Sequence, residues 1–400
     1  MLTKASRADH PSAATPVAEW PWRRFGRLPA VSPFSLGTMR AIDSAAQMEA
    51  VLGAAVAAGI NHIETAAAYG PAETFLGQAL GRLGRQGVVP AGGWLITSKL
   101  LPGPDLRTAQ DQLRAMLQRL GVARLDGLAV HGINRDEHLA WALTGPGAAL
   151  MDWAIGEDLV GQVGFSSHGS TPLIEQALAS GRFAFCSLHL HWFDQERLPL
   201  ARAALAEGIG VMAISPADKG GRLYDPPPLL LADCAPWHPL ELAYRFLLDQ
   251  GISTLTLGAA RPSDLDLARS MAGPLADPGP WLNPAQRQAL TRLEAAGRAR
   301  LGAEHCGQCR ACLPCPNGVP IPQLLRLRNL AVGHGLQAFA QERYNLINRA
   351  GHWWETVNAE ACGSCGDCLP RCPLRLPIPA LLADTHQCLL AAPGRRLWDD

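Results

Sequence analysis

The chain carries no excess charge of either sign. Its 400 residues include 35 basic and 35 acidic side chains, and the isoelectric point is near 7.2. A surface that tracks a phosphate backbone or an anionic lipid face needs a basic imbalance, so neither nucleic acid nor a membrane is expected as a partner. Long apolar runs are also missing, and no stretch approaches the ~20 residues of a membrane span. The pair Arg23-Arg24 invites a twin-arginine export reading, but no apolar signal core follows it. A cytoplasmic protein is expected. Finally, no Gly-x-Gly-x-x-Gly follows the first strand, which counts against an open doubly wound sheet.

What is present suits a large folded chain. Composition is 48% hydrophobic and 18% charged, enough for a sizeable core in two domains. Residues 1–22 are rich in Ala, Pro and Ser and are expected to form a poorly ordered arm. From Phe34 the chain alternates strand and helix. Strands are predicted at 34–39, 60–65, 94–98, 126–131, 161–166, 184–190, 209–214 and 253–257, and helices at 44–58, 108–120 and 171–180 among others. Strand-helix units repeating over about 240 residues suit a closed (β/α)8 barrel, assigned to residues 23–275. The stretch Gly273 to Pro284 is rich in Pro and Gly and marks a boundary, leaving 284–400 as a second unit.

The barrel is organised around Gly59 to Leu80, GINHIETAAAYGPAETFLGQAL. A short strand ends near Glu64, a small-residue loop delivers Tyr69, and a Gly-Pro turn leads into a helix with Phe75, Leu76, Ala79 and Leu80 at helical spacing. Lys99 ends the apolar run Trp94 to Ser98, and His131 ends Leu128 to Val130. Charged groups at the exits of apolar strands are costly without partners. A tyrosine near pKa 10 is a poor proton donor at neutral pH. An adjacent ammonium lowers that pKa, a carboxylate holds the ammonium, and a histidine can orient a carbonyl oxygen. Glu64, Tyr69, Lys99 and His131 therefore make a proton-donating set for carbonyl reduction.

On these residues the chain resembles the aldo/keto reductase superfamily, from about Arg24 to Met271. The resemblance rests on RRFGRLPAVSPFSLGTM, GINHIETAAAYGPAETFLGQAL, ITSKL, LDGLAVHGI, VGFSSHG and VMAISP. It implies an Asp-Tyr-Lys-His tetrad and a nicotinamide cofactor acting on a small carbonyl or alcohol. Tyr69, Lys99 and His131 match the tetrad, whereas Glu64 stands where the family has Asp. The resemblance also makes Trp22 to Pro33 an arm across the bottom of the barrel. It implies that Ser166 and Ser167, the latter in place of Asn, hold the nicotinamide amide, and that Ser187 falls where Gln is frequent.

Two loops are candidates for the cofactor phosphates. Ser215 to Arg222 sets two glycines between Lys219 and Arg222, where backbone amides can approach a pyrophosphate. Barrel phosphate sites commonly follow strands seven and eight. After strand eight come Gly258 and Arg261. Here the resemblance implies binding of the adenosine phosphate, but Asp264 stands where Gln or Arg is usual. A carboxylate beside a 2′-phosphate is unfavourable, so NADP should be only weakly preferred and NAD stays open.

The tail carries the most specific spacing in the chain. It reads Cys306-x2-Cys309-x2-Cys312-x2-Cys315-Pro, then Cys362-x2-Cys365-x2-Cys368-x3-Cys372-Pro, eight of the eleven cysteines. The second run has the bacterial ferredoxin spacing, and the first is one residue shorter before its last cysteine. CLPCPNGVPIPQLL and CLPRCPLRLPIPALL form an internal repeat. Disulfides are not expected without an export signal, and zinc sites more often pair two Cys-x2-Cys units. Two [4Fe-4S] clusters are predicted, with the fourth cysteine of each run serving the other cluster. Residues 321–360 are then expected to be helical, folding one run onto the other. Cys186, Cys234 and Cys388 are left as incidental thiols. The tail resembles the ferredoxin-like extension of a bacterial aldo/keto reductase subgroup. Three functions follow: a nicotinamide-linked oxidoreductase whose clusters exchange single electrons with a redox partner protein, an electron-transfer protein whose barrel is only a docking scaffold, or a barrel whose cluster domain only stabilises the fold or senses redox state.

Overall fold

The computed structural model describes residues 20–217, 222–272, 280–353 and 355–392. Strands β1 (Arg23–Phe25) and β2 (Leu28–Val31) form an antiparallel hairpin. Phe25 is fully buried against Phe185, with ring centres 4.9 Å apart, and the hairpin closes the end of the barrel where strands begin. The turn requires Gly26. Its φ is +59°, and a Cβ there would meet the Ala184 carbonyl oxygen at 2.3 Å.

Eight strands then close a barrel: β3 (Phe34–Gly37), β4 (His62–Glu64), β5 (Leu95–Leu100), β6 (Leu125–His131), β7 (Val160–Ser167), β8 (Phe185–His189), β9 (Gly210–Ile214) and β10 (Thr254–Gly258). All neighbours are parallel, and β10 returns to β3 with Leu257 beside Leu36. The predicted eight strands are all present. β4 is shorter than the expected 60–65: the Ile60 amide bonds back to the Ala55 carbonyl, and the Thr65 amide makes the last bond to β5, at Thr97, as the chain leaves the strand.

Outward side chains such as Leu36, Ile63 and Ile96 bury themselves under the helices. Those helices start where the sequence offers caps: Ser44 accepts from the Gln47 amide ahead of Ala45–Ala57, and Asp105 from Thr108 ahead of Leu106–Leu120. The barrel interior is partly polar. The His62 ring bonds Ser35 Oγ at 2.7 Å and Thr97 Oγ1 at 2.9 Å. Burial pulls His62 down to about 3, so it is neutral at physiological pH.

Beyond the barrel, helix Pro284–Leu301 begins with an Asn283/Gln286 capping box, and Arg300 ties it to Asp233 at 2.6 Å. Helices Ile321–Arg328 and Ile378–Leu389 open on the same Ile-Pro step and pack together. Their Ile321, Leu324, Leu325, Ile378, Leu381 and Leu382 form a core separate from that of the barrel. The segment 321–360, expected to be helical, is helical only in pieces. It breaks into Ile321–Arg328, a π turn at Asn329–Gly333, a helix at Gln337–Tyr344 and two short turns at Gly351–Trp353 and Ala359–Ala361. Gly335 at φ +71° and Asn348 at φ +62° turn the chain where a helix would continue. Among the described residues, no helix is long and apolar enough to cross a membrane.

Candidate active site and cysteine centres

The strand ends of the barrel converge on a cavity of about 200 Å³. Glu64 ends β4, Lys99 lies near the end of β5 and His131 ends β6, so three neighbouring strands present their last side chains to one mouth. Tyr69 enters from the loop after β4. The Lys99 ammonium is in contact with the Glu64 carboxylate, donates to the Tyr69 hydroxyl at 2.8 Å and donates to the Thr65 carbonyl at 3.1 Å. Tyr69 in turn donates to Glu64 Oε1 at 3.2 Å. The His131 ring meets the Tyr69 ring edge-on, centres 5.6 Å apart. The longer Glu64 side chain thus still reaches the ammonium.

Burial governs the charges here. It pulls the Lys99 ammonium well below its usual range, and the touching Glu64 carboxylate opposes that fall. For Tyr69 the structure corrects the direction expected from the sequence. Burial pushes the phenol above its ordinary value, because desolvation of a phenolate outweighs the help of one neighbouring ammonium. Tyr69 is therefore firmly protonated in the resting site.

The candidate cofactor residues divide into two groups. Ser166, Ser215 and Gly258 line the cavity. Ser166 Oγ accepts from the Gly132 amide at 3.0 Å, and Ser215 is held at φ +57°, an unfavourable conformation of the kind that clusters at functional sites. Ser167 and Ser187 do not face the cavity. Ser167 donates to the Ile133 carbonyl at 2.6 Å and accepts from the Gly169 amide at 2.9 Å, whereas Ser187 Oγ is buried against Met212 Sδ at 3.7 Å. Lys219 lies outside the described residues, and Arg222 opens a short 3-10 turn, Arg222–Tyr224. Arg261 is exposed. The Asp264 carboxylate accepts from the Ala260 and Arg261 amides at 2.9 and 3.1 Å and faces the Arg261 guanidinium at 3.5 Å. A side-chain anion thus already occupies amides that could otherwise meet a phosphate.

Sequence reasoning missed several lining residues. Arg40, in the loop after β3, reaches across to the Gly258 carbonyl at 3.3 Å. The strand-end rule that found Lys99 could have found it. Tyr224 bonds the Tyr244 hydroxyl at 2.8 Å. No sequence signal marked Trp353. It lies between the two cysteine runs, yet its ring enters the barrel mouth, 5.1 Å from the ring of His131 and 5.8 Å from that of His168. Gly132 leaves the room: a Cβ there would stand 2.6 Å from the indole.

The cysteines gather in two groups across the repeat. Cys306, Cys309, Cys312 and Cys372 line one small cavity with Ile321, Leu325 and Ile378. Cys315, Cys362, Cys365 and Cys368 line the other with Ile321, Pro379 and Leu382. Each group takes three cysteines from one run and the last from the other. Cys186 and Cys234 are buried elsewhere, and Cys388 is exposed.

Parallel strands closed eightfold, with a buried Glu-Lys pair and a tyrosine at their ends, define a barrel oxidoreductase scaffold, and the comparisons agree. The sequence model of the aldo/keto reductase family matches residues 33–225. An aldo-keto reductase of Mycolicibacterium vanbaalenii is 30% identical over 220 residues, 52% of this chain and 72% of that protein. The chain belongs to the aldo/keto reductase family. Among solved structures, an aldo-keto reductase of Bacillus halodurans in its holo form is similar in fold, with TM-score 0.56 at 17% identity, over 68% of this chain and 96% of that one. An aldo/keto reductase of Klebsiella pneumoniae, solved with NADP and acetate, gives TM-score 0.54 at 20% identity, over 69% and 95%.

Proposed function

We propose that this chain interconverts a small carbonyl and its alcohol in the barrel mouth, using a nicotinamide cofactor, with Tyr69 as general acid. The observation that carries the reading is the Lys99 ammonium held between the Glu64 carboxylate and the Tyr69 hydroxyl. A bound nicotinamide supplies the hydride to the carbonyl carbon. Tyr69 gives its proton to the carbonyl oxygen and becomes a phenolate. The ammonium 2.8 Å away stabilises that charge, and Glu64 keeps the ammonium in place. His131 orients the carbonyl oxygen from the facing side. Oxidation of the alcohol runs the same proton back to Tyr69.

Ser166, Ser215 and Gly258 fit the nicotinamide end, and Arg40 offers a cation beside it. The loop with Lys219 and Arg222, together with Arg261, is the candidate phosphate side. NADP bound by the Klebsiella relative supports a nicotinamide dinucleotide; Asp264 argues for little preference between NADP and NAD.

In the same reading, residues 23–275 form the catalytic unit and 284–400 a ferredoxin-like unit with two [4Fe-4S] clusters. Cys306, Cys309, Cys312 and Cys372 would hold one, and Cys315, Cys362, Cys365 and Cys368 the other. The two fourfold cysteine cavities support this. Bound there, the clusters would supply one-electron transfer and link the chain to a redox partner protein.

The decisive experiment compares the chain with Tyr69→Phe. Carbonyl reduction should fall roughly 10²- to 10⁴-fold, the usual share of a general acid, while nicotinamide affinity stays unchanged. Unchanged turnover would remove Tyr69 from the mechanism. A second reading, an electron-transfer protein with a catalytically silent barrel, draws on Asp264 occupying the Ala260 and Arg261 amides. Reduction of the clusters without any nicotinamide oxidation in a titration would favour it.

A further inference from the structure

The loop after β8 carries three side chains that neither the carbonyl site nor the cysteine centres use. His189 is the last residue of β8, and His191 follows on the same side of the chain two residues later. The chain then folds back on itself: the His191 and Asp194 backbones form an isolated bridge, with the Asp194 amide donating to the His191 carbonyl at 3.1 Å. That turn returns the Asp194 carboxylate to the imidazoles. One ligand atom from each of the three lies within 4.8 Å of the other two. Both histidines are buried, at 4% and 1% exposure, and their ring centres are 4.9 Å apart.

We propose that His189, His191 and Asp194 form a site for one divalent cation of the zinc(II) or iron(II) class. Two imidazoles and one carboxylate are the donor set that this class prefers, whereas calcium and magnesium prefer oxygen alone. Donors bound at ~2.0–2.2 Å around a tetrahedral ion lie about 3.4 Å apart, so closing the site from the present 4.8 Å limit needs side-chain movements of roughly an ångström. The backbone bridge fixes the turn in advance. The Arg326 guanidinium faces Asp194, but at 3.7 Å it is beyond a direct hydrogen bond. The other carboxylate oxygen accepts only a long hydrogen bond from the Glu196 amide at 3.4 Å, which leaves it lone-pair capacity for an ion. The site sits between two working regions. The His189 ring is 5.9 Å from that of His168, which lines the carbonyl cavity, and Asp194 borders a second cavity that includes Cys306.

The test uses the full chain with its clusters installed, dialysed anaerobically against buffered zinc(II). The wild-type chain should take up one zinc more than His189→Ala/His191→Ala at equal iron content. X-ray absorption at the zinc edge should show a nitrogen and oxygen shell near ~2.0–2.1 Å without the sulfur shell expected near ~2.3 Å for cysteine-bound zinc. Asp194→Asn, which preserves side-chain volume, should lose the same zinc and the accompanying rise in melting temperature. If the double variant does not fold, Asp194→Asn and the absorption spectrum of the wild-type chain still decide. Equal zinc in wild-type and variant chains, a sulfur shell, or no zinc uptake by the wild-type chain would overturn the proposal.

Discussion

The barrel mouth and the cysteine unit solve the placement of reactive groups in opposite ways. In the mouth, Glu64, Lys99 and His131 stand at or near the ends of three neighbouring strands, Tyr69 enters from the loop after β4, and the eightfold ladder sets their separations. Residues 30 apart in sequence, such as Tyr69 and Lys99, meet at 2.8 Å because the sheet brings them together. In the cysteine unit, most of the placement is written as local spacing, and a small core of paired Ile-Pro helices suffices to cross the two runs. A scaffold that fixes geometry tolerates changes such as Glu64 for Asp. A unit that relies on spacing should tolerate loss of a cysteine far less.

The sharpest test of that contrast is Cys315→Ala. Crossed ligation predicts loss of the centre formed with Cys362, Cys365 and Cys368, and survival of the one formed with Cys306, Cys309 and Cys312. Iron content and low-temperature electron paramagnetic resonance would read it; if the lost signal instead belongs to Cys306, Cys309 and Cys312, each run closes on itself.

The barrel should respond to protons. His62 is held at about 3 in the folded chain against 6.5 when exposed. Its contribution is complete above pH 6.5 and drains away as pH falls from there towards 3, because the unfolded chain binds the extra proton. The slope is about 1 kcal/mol per pH unit. Unfolding of the barrel followed from pH 7 to 5 should show it, and His62→Gln should flatten it; an identical slope in that variant would rule His62 out as the source.

Trp353→Ala joins the two regions. Removing the indole opens the mouth between His131 and His168, and kcat/KM for a small carbonyl should fall roughly tenfold, mainly through KM. An unaltered KM would mean that the substrate never touches this wall. The smallest effect is expected at Asp264→Asn. Removing one partly screened negative charge is worth about 1 kcal/mol, so the ratio of NADP to NAD affinity should rise roughly fivefold, measured from the two dissociation constants. No change in that ratio would place the adenosine phosphate elsewhere.

The eight strands were legible because each joins an apolar run to a turn; Glu64, Lys99 and His131 stood out as polar groups at strand exits, and Tyr69 as the residue delivered by the small-residue loop after Glu64. Ser167 and Ser187 misled for a physical reason: a serine at a strand end can satisfy itself on its own backbone or sit inward, and only the local turn decides which. The division of 321–360 into short helical pieces shows the weight of single turn residues such as Gly335. Trp353 left no mark in the sequence, since its role depends on how two separately built regions dock. The phenol of Tyr69 was misjudged because the sequence names its cationic neighbour but not the depth of burial.

The indole at the mouth has a consequence for how the protein matures. A chain leaves the ribosome N-terminus first, and domains generally fold as units in that order. The barrel strands end at Gly258, nearly a hundred residues before Trp353 emerges. A nascent barrel therefore presents its proton-donating residues in an unfinished chamber, open between His131 and His168. The wall that Trp353 adds to the mouth is complete only once the final third of the chain has been synthesised and has docked.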